Sequence, residues 1–190
     1  MRLHLALGSL SALLLATACA SFTSPPALPD YAGPRNPLPF RVTVTEREMQ
    51  LEDGRWTDRS GSGELARSAT KVILHSDWID EHRYDETAPL LDVRIANYHG
   101  EGPNPLTVAT GCLLPGTLDN RITVEVSLSS RDGDVVKCSR EIEVRTWFQT
   151  FLIFAYPLAS PRKVREQATD ALAMQCVAEV LKQSAAVSAH

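Results

Sequence analysis

The chain has 190 residues, of which 19 are Lys or Arg and 23 are Asp or Glu, so its formal net charge is −4. The basic residues are spread along the sequence without a cluster that could neutralise phosphates, and we expect no nucleic acid among the partners. Residues 40–190 are numerous enough for one domain with a core of its own.

Residues 1–18 have the pattern of a bacterial export signal. Arg2 supplies a positive charge, residues 5–16 form an apolar run, and two small residues precede Cys19. A membrane-spanning helix needs roughly 20 apolar residues, so this shorter run is typical of a signal peptide that is removed.

Residues 16–19 read Ala-Thr-Ala-Cys, which resembles the lipobox of bacterial lipoproteins. The resemblance implies cleavage before Cys19 and attachment of diacylglycerol and palmitate to that residue, which anchors the chain in a membrane. Ala20 is not the Asp that marks inner-membrane retention, so the resemblance favours the outer membrane, with the domain facing the periplasm. The alternative is an ordinary secreted protein with a Cys at its cleavage site.

Residues 19–39 contain half of the 12 prolines. Proline fixes φ and removes a hydrogen-bond donor, so we expect an extended, solvated tether behind the lipidated Cys19. It serves either as a spacer or as a docking strip for a partner.

Two strands and a helix are predicted at the start of the domain. Residues 40–49 alternate, with Val42 and Val44 on one face, and residues 88–98 place Leu91, Val93 and Ile95 inward. Between them Ser62 is the expected cap of a helix. The apolar stripe of this helix consists of Leu65, Ala69, Val72, Ile73 and Ile79.

Residues 121–147 predict a β-hairpin, in which a three-residue loop at 131–133 brings the apolar faces of both strands together. The pairs in this register are Leu128 with Val136, Val126 with Cys138, Ile122 with Ile142 and Arg121 with Glu143. Arg140 falls on the apolar face opposite Val124, which the pattern does not explain.

A second helix is expected from Pro161, with Ser160 as its cap. Its inward side chains are Val164, Ala171, Met174, Ala178 and Leu181. The order of elements predicts an α+β fold in which two helices pack on one face of a mostly antiparallel sheet.

Residues 147–158 form an apolar run rich in aromatic side chains. One interpretation is a buried edge strand with a packed loop. The other is a surface that contacts lipid or a protein partner, for which Trp147, Phe151 and Ile153, on one face of an alternating strand, are the candidates.

Three cysteines remain when Cys19 is acylated, and at most one disulfide can join them within the chain. Cys112 and Cys138 are the preferred pair because they flank one strand, which leaves Cys176 as a thiol. Three buried free thiols are the alternative.

Residues 75–86 contain His75, Asp77, Asp80 and His82, which could bind a metal or act as acid and base. The same composition describes a solvated loop, and we assign no catalytic residue, metal or cofactor.

The segment Gly111 to Pro115, the "DGDVV" hairpin, "TWF", an apolar run ending in Pro and a helix opening "SP" together resemble a group of small proteobacterial lipoproteins. The likeness extends over residues 89–181 and the lipobox. It implies a role in the cell envelope and supplies no catalytic residue. Two helices on a sheet behind a lipidated cysteine are also similar in architecture to the lipoprotein subunit of the lipopolysaccharide-transport translocon.

These patterns predict a non-enzymatic, lipid-anchored accessory or interaction module in outer-membrane assembly or maintenance, with an envelope protein as a candidate partner. A periplasmic protein that binds a ligand or a lipid is the alternative, and it would need a cavity between helices and sheet. A hydrolase is a more distant third.

Overall fold

The structure is a computed structural model, and it describes residues 19–22, 27, 39–59, 61–80, 88–102, 104–110, 113–129, 135–149 and 160–187. In this part of the chain the elements, in order, are β1 (Cys19–Phe22), β2 (Arg41–Glu52), β3 (Arg55–Arg59), α1 (Glu64–Leu74), β4 (Leu90–His99), α2 (Pro105–Ala109), β5 (Gly116–Ser129), β6 (Val135–Phe148) and α3 (Pro161–Val187). The predicted signal peptide, residues 1–18, lies outside the described residues.

The described strands form one sheet in the order β1-β6-β5-β4-β2-β3. All neighbours are antiparallel except β2 and β4, which run parallel because α1 carries the chain back between them. Helices α1 and α3 pack together over one face of the sheet. The predicted α+β fold with two helices on one face is confirmed.

The β5–β6 hairpin has the predicted register. Leu128 pairs with Val136, Val126 with Cys138 and Ile122 with Ile142. Arg140 does lie opposite Val124, and its position is explained by α3, because its Nη2 is 2.7 Å from Oε2 of Glu179 on that helix. The loop at 130–134 lies outside the described residues.

Helix α1 differs from its prediction at both ends. Its N-cap is Gly63, which has a left-handed φ of 65°, and the expected cap Ser62 instead accepts a hydrogen bond at Oγ from the backbone N–H of Glu64, at 3.3 Å. Ile79 is buried as expected, but it lies beyond the helix, which ends at Leu74.

The core lies between the helices and the sheet. The inward residues of β4 and β5 are almost fully buried, as the alternating pattern predicts. Helix α3 is buried on more of its surface than the predicted stripe. The predicted side chains Ala171, Met174, Ala178 and Leu181 are buried, and so are Ala168, Leu172, Cys176 and Val180. An ion pair of 2.6 Å between Arg162 and Glu64 joins the starts of the two long helices.

Candidate functional site

Cys19 is the first residue of β1 and lies at one end of the sheet. It pairs with Phe148, the last residue of β6, and Phe148 also pairs with Gly116, the first residue of β5. The ends of β2 and β4 lie toward the same end, because Gln50 pairs with His99 and His99 with Asn120. We call this end of the sheet the Cys19 end.

The predicted tether is corrected at its beginning. Its first four residues form β1, so no spacer separates Cys19 from the domain. Further along, the backbone oxygen of Ala27 accepts a hydrogen bond of 2.7 Å from Gln175 of α3. Residues 23–26 and 28–38 lie outside the described residues, and they connect β1 to β2 of the same sheet.

Helix α2 packs against the start of β5, at the Cys19 end, through the side chain of Thr107. Thr107 is buried, and a Cβ at Gly116 would approach its Oγ1 to 2.7 Å, so only Gly allows this contact. Asn104 caps the helix by accepting a hydrogen bond of 2.9 Å from the N–H of Leu106. The rest of the segment turns apolar side chains to solvent, namely Leu106, Val108, Leu113 and Leu114.

Of the three predicted contact residues, the structure describes Trp147. Its neighbours Val144 and Thr146 are buried on the helix side of the sheet, whereas Trp147 is 38% exposed on the opposite side. Phe151 and Ile153 lie outside the described residues, so their role stays a prediction.

A disulfide joins Cys138 of β6 to Cys176 of α3, with the Cα atoms 5.3 Å apart. The predicted pairing of Cys112 with Cys138 is therefore wrong, and so is the alternative of three free thiols. Cys138 faces the helix layer and Cys176 faces the sheet, which brings them together although 38 residues separate them. Cys112 lies outside the described residues.

The described members of the His and Asp group predicted as metal ligands or as acid and base follow the end of α1. His75 is exposed and its Nδ1 is 2.8 Å from the backbone oxygen of Lys71, while Asp77 is exposed and Asp80 half-buried. His82 lies outside the described residues. Among the residues that the structure describes, no group of three or more His, Cys, Asp or Glu side chains could hold a metal ion.

A buried polar layer that was not predicted from the sequence lies between the Cys19 end and the start of α3. Asn97 and Asn120 are almost fully buried, and each makes a hydrogen bond of 3.1 Å to one ring nitrogen of His99. Burial of the ring and the positive charge of Arg165 lower the pKa of His99. The bonds therefore fit a neutral ring that donates from Nδ1 to Asn120 and accepts at Nε2 from Asn97.

Two carboxyl groups that contact α1 are half-buried, and burial raises the pKa of each. Glu46 accepts a hydrogen bond of 2.9 Å from the N–H of Ala66, and Asp170 accepts one of 2.9 Å from Ser68 Oγ.

Asn97 and His99 continue the inward phase of Leu91, Val93 and Ile95. Polar residues at inward positions were thus the signal that could have revealed the layer.

The face of the sheet opposite the helices is polar. Arg94 pairs with Asp92 at 2.8 Å, and Arg145 pairs with Asp119 at 2.7 Å. A surface groove of 650 Å³ crosses this face, and its lining includes Thr45, Arg47, Met49, Tyr98 and Thr123. In the described part of the chain, no helix has the length and apolar character that crossing a membrane requires.

No protein-family model matches the chain, and no curated protein sequence matches it. The solved structures that resemble it include a minor lipoprotein from Acinetobacter baumannii, at 13% identity over 78% of this chain and 96% of that one, with a TM-score of 0.42. They also include rare lipoprotein B from Shewanella oneidensis, at 13% identity over 78% of this chain and 96% of that one, with a TM-score of 0.37. At these values the likeness assigns no activity and no partner to the chain.

Proposed function

We propose that this chain is a lipid-anchored protein of the bacterial envelope that acts as a non-enzymatic accessory or interaction module in outer-membrane assembly or maintenance. The observation that carries the proposal is the position of Cys19. The lipobox-like motif places the cleavage site before this residue, and β1 begins at this residue. A chain processed there keeps its whole sheet, and its acylated residue is already part of the fold.

The disulfide supports an exported location. Disulfides form and persist in oxidising compartments such as the periplasm and are rare in the cytosol. The Cys138–Cys176 bond joins the sheet to the longest helix of the described residues, within the core. An oxidised domain of this kind agrees with transport across the inner membrane.

A non-enzymatic role is favoured by the state of the histidines in the described residues. Both ring nitrogens of His99 are engaged by asparagines, so neither is available to move a proton. His75 is exposed and bonded to its own helix. His99 is thus engaged within the fold, and we assign no general base among the described residues.

An interaction module is favoured over a ligand carrier by the packed interior. Ile73 of α1, Ile95 of β4 and Val177 of α3 face one another across the core and are 0%, 2% and 0% exposed. A ligand carrier would need space between these layers. The polar open face of the sheet is instead the broad surface that is accessible to another protein.

The test is crosslinking in intact envelopes with a photoreactive phenylalanine analogue at Arg94 or at Lys137. Both side chains lie on the open face of the sheet. The matched control position is Lys163, an exposed cation on α3. We expect the two sheet positions to yield the same adduct, identified by peptide mass spectrometry as an envelope protein, and Lys163 to yield none. Adducts at Lys163 alone, or none at either sheet position, would contradict an interaction role for this face.

A further inference from the structure

We propose that the Cys19 end of the domain lies directly on the bilayer, with a patch of exposed apolar side chains inserted among the lipid headgroups. This inference rests on the proposed acylation of Cys19 and adds the orientation of the domain to it. We call the patch the apolar end, and it consists of Leu106, Val108, Leu113, Leu114 and Trp147.

The first argument is the distance from the anchor. Because Cys19 pairs with Phe148 and Phe148 with Gly116, the start of β5 is two strand spacings away from the anchor. Neighbouring strands are about 4.8 Å apart, so the start of β5 lies about 10 Å from Cys19. The acyl chains enter the hydrocarbon from Cys19, and the backbone around Gly116 is therefore held at the depth of the headgroups.

The second argument is the distribution of exposed apolar side chains. Leu106, Val108, Leu113 and Leu114 are 64%, 62%, 63% and 50% exposed. Two other large apolar side chains are exposed in the described residues. Trp56 follows the β2–β3 turn, also toward the Cys19 end, and Val135 begins β6 at the opposite end. Exposed apolar side chains in groups mark contact sites, and these lie at the same end of the sheet as the predicted lipid attachment.

The third argument is the charge near the patch. Arg145, the cation that precedes Trp147 by two residues, is neutralised by its ion pair with Asp119. Glu101, in the segment that leads into α2, is exposed and acidic. Anionic lipids therefore gain little by electrostatic attraction, and the contact is of the apolar kind that salt hardly weakens. A zwitterionic bilayer of phosphatidylethanolamine is the expected surface.

The experiment uses the full mature protein, purified with its acyl groups and reconstituted into liposomes of phosphatidylethanolamine and phosphatidylglycerol. The liposomes also contain a phospholipid with a photoreactive group close to its headgroup. After illumination, the labelled residues are mapped by peptide mass spectrometry. We expect label on the peptides that carry residues 105–115 and 147, and none on the peptide that begins β6 with Val135. The pattern should be the same at low and high salt.

A double variant sharpens the test. Leu113→Ser with Leu114→Ser should remove most of the label from residues 105–115 and leave the melting temperature unchanged, because both side chains are exposed. Val135→Ser is the matched control, since it removes an exposed apolar side chain of 50% exposure at the opposite end and should leave the labelling pattern intact.

The intact mass of the same sample separates the two proposals. If the mass shows acylation of Cys19 but label is confined to the N-terminal peptide, or is equally strong at Val135, the membrane orientation is overturned and the lipid anchor stands. If the mass shows no acyl group, the anchor itself is overturned, and the orientation that rests on it is overturned too.

Discussion

Cys138 of β6 and Cys176 of α3 form a disulfide that fastens the C-terminal helix to the hairpin, with 5.3 Å between their Cα atoms. Neighbouring core residues bring the two together. Cys138 pairs with Val126 in the sheet, and Cys176 is followed in α3 by the buried Val177. The bond closes a segment of 38 residues, which constrains the unfolded chain.

Removing this disulfide should therefore destabilise the domain. For a loop of this length the loss is about 4 kcal/mol on the chain-entropy model. Cys176→Ser should lower the urea midpoint strongly, whereas Cys112→Ser should leave it close to wild type. In non-reduced digests the peptides of Cys138 and Cys176 should be joined, and Cys112 should react with an alkylating agent after denaturation. A linked peptide of Cys112 and Cys138 would contradict the assignment.

The polar layer around His99 predicts a pH-dependent stability. The folded state lowers the pKa of His99 below its usual 6.5, so the unfolded chain binds the proton more readily. The contribution of the neutral ring is complete above about pH 6.5 and is lost as the pH falls toward the lowered pKa. Because the ring is only half-buried, the slope should stay below the ~1.4 kcal/mol per pH unit that one full proton would give.

The measurement is a series of urea titrations between pH 7.5 and about pH 5, with His99→Gln as the matched variant. The raised pKa values of Glu46 and Asp170 act in the opposite direction, since their contribution is lost as the pH rises. Both variants share these carboxyl groups, so the difference between wild type and His99→Gln at each pH isolates the ring. Arg165, Glu48 and Arg59, the charges that act on His99, are also unchanged. Parallel curves for the two proteins would refute the assignment.

Gly116 should be difficult to replace, because α2 approaches it closely. A Cβ there would lie 2.7 Å from Thr107 Oγ1 and 2.8 Å from its Cγ2. Overpacking of this kind costs typically about 1–3 kcal/mol, and Gly116→Ala should lower the thermal midpoint accordingly. Adding Thr107→Ala removes both atoms and should restore part of the loss. If Gly116→Ala alone melts like wild type, α2 does not pack as described.

The ion pair between Arg140 and Glu179 should contribute little to stability. The atoms are 2.7 Å apart, but the two side chains are 52% and 38% exposed. Exposed pairs of this type are worth about 0.2–1 kcal/mol. A double-mutant cycle with Arg140→Ala and Glu179→Ala should give a coupling energy in that range, smaller in high salt. A coupling of several kcal/mol would show that the pair is effectively buried.

The hairpin register could be predicted because alternation fixes which side chains face the core, and a shift by one residue would have exposed Leu128 and Val126. The parallel pairing of β2 and β4 could not be predicted, since the sequence of a strand does not indicate which other strand it pairs with. The disulfide was missed for a related reason. Cys112 and Cys138 are close in sequence, which can be read locally. The contact of Cys138 with Cys176 depends instead on the position in which α3 packs on the sheet.

The same contrast holds for the candidate site. The lipobox-like pattern is contiguous, so Cys19 could be proposed as the lipidation site from residues 16–19 alone. That β1 begins at this residue could not be predicted, because the proline content of the following segment favoured an extended tether over a paired strand. The apolar end was equally hidden, since the pairing of β5 with β6 brings Trp147 to the end of the sheet at which α2 packs on Gly116.

The central claim, that Cys19 carries the lipid anchor, is tested most directly by metabolic labelling with a clickable palmitate analogue. Wild type and Cys19→Ser are expressed at equal levels, and the label is measured on the purified chains. We expect label on the wild type, which fractionates with the outer membrane, and none on Cys19→Ser, which accumulates as an unprocessed or soluble form. Equal label on the two proteins, or none on the wild type, would contradict the claim.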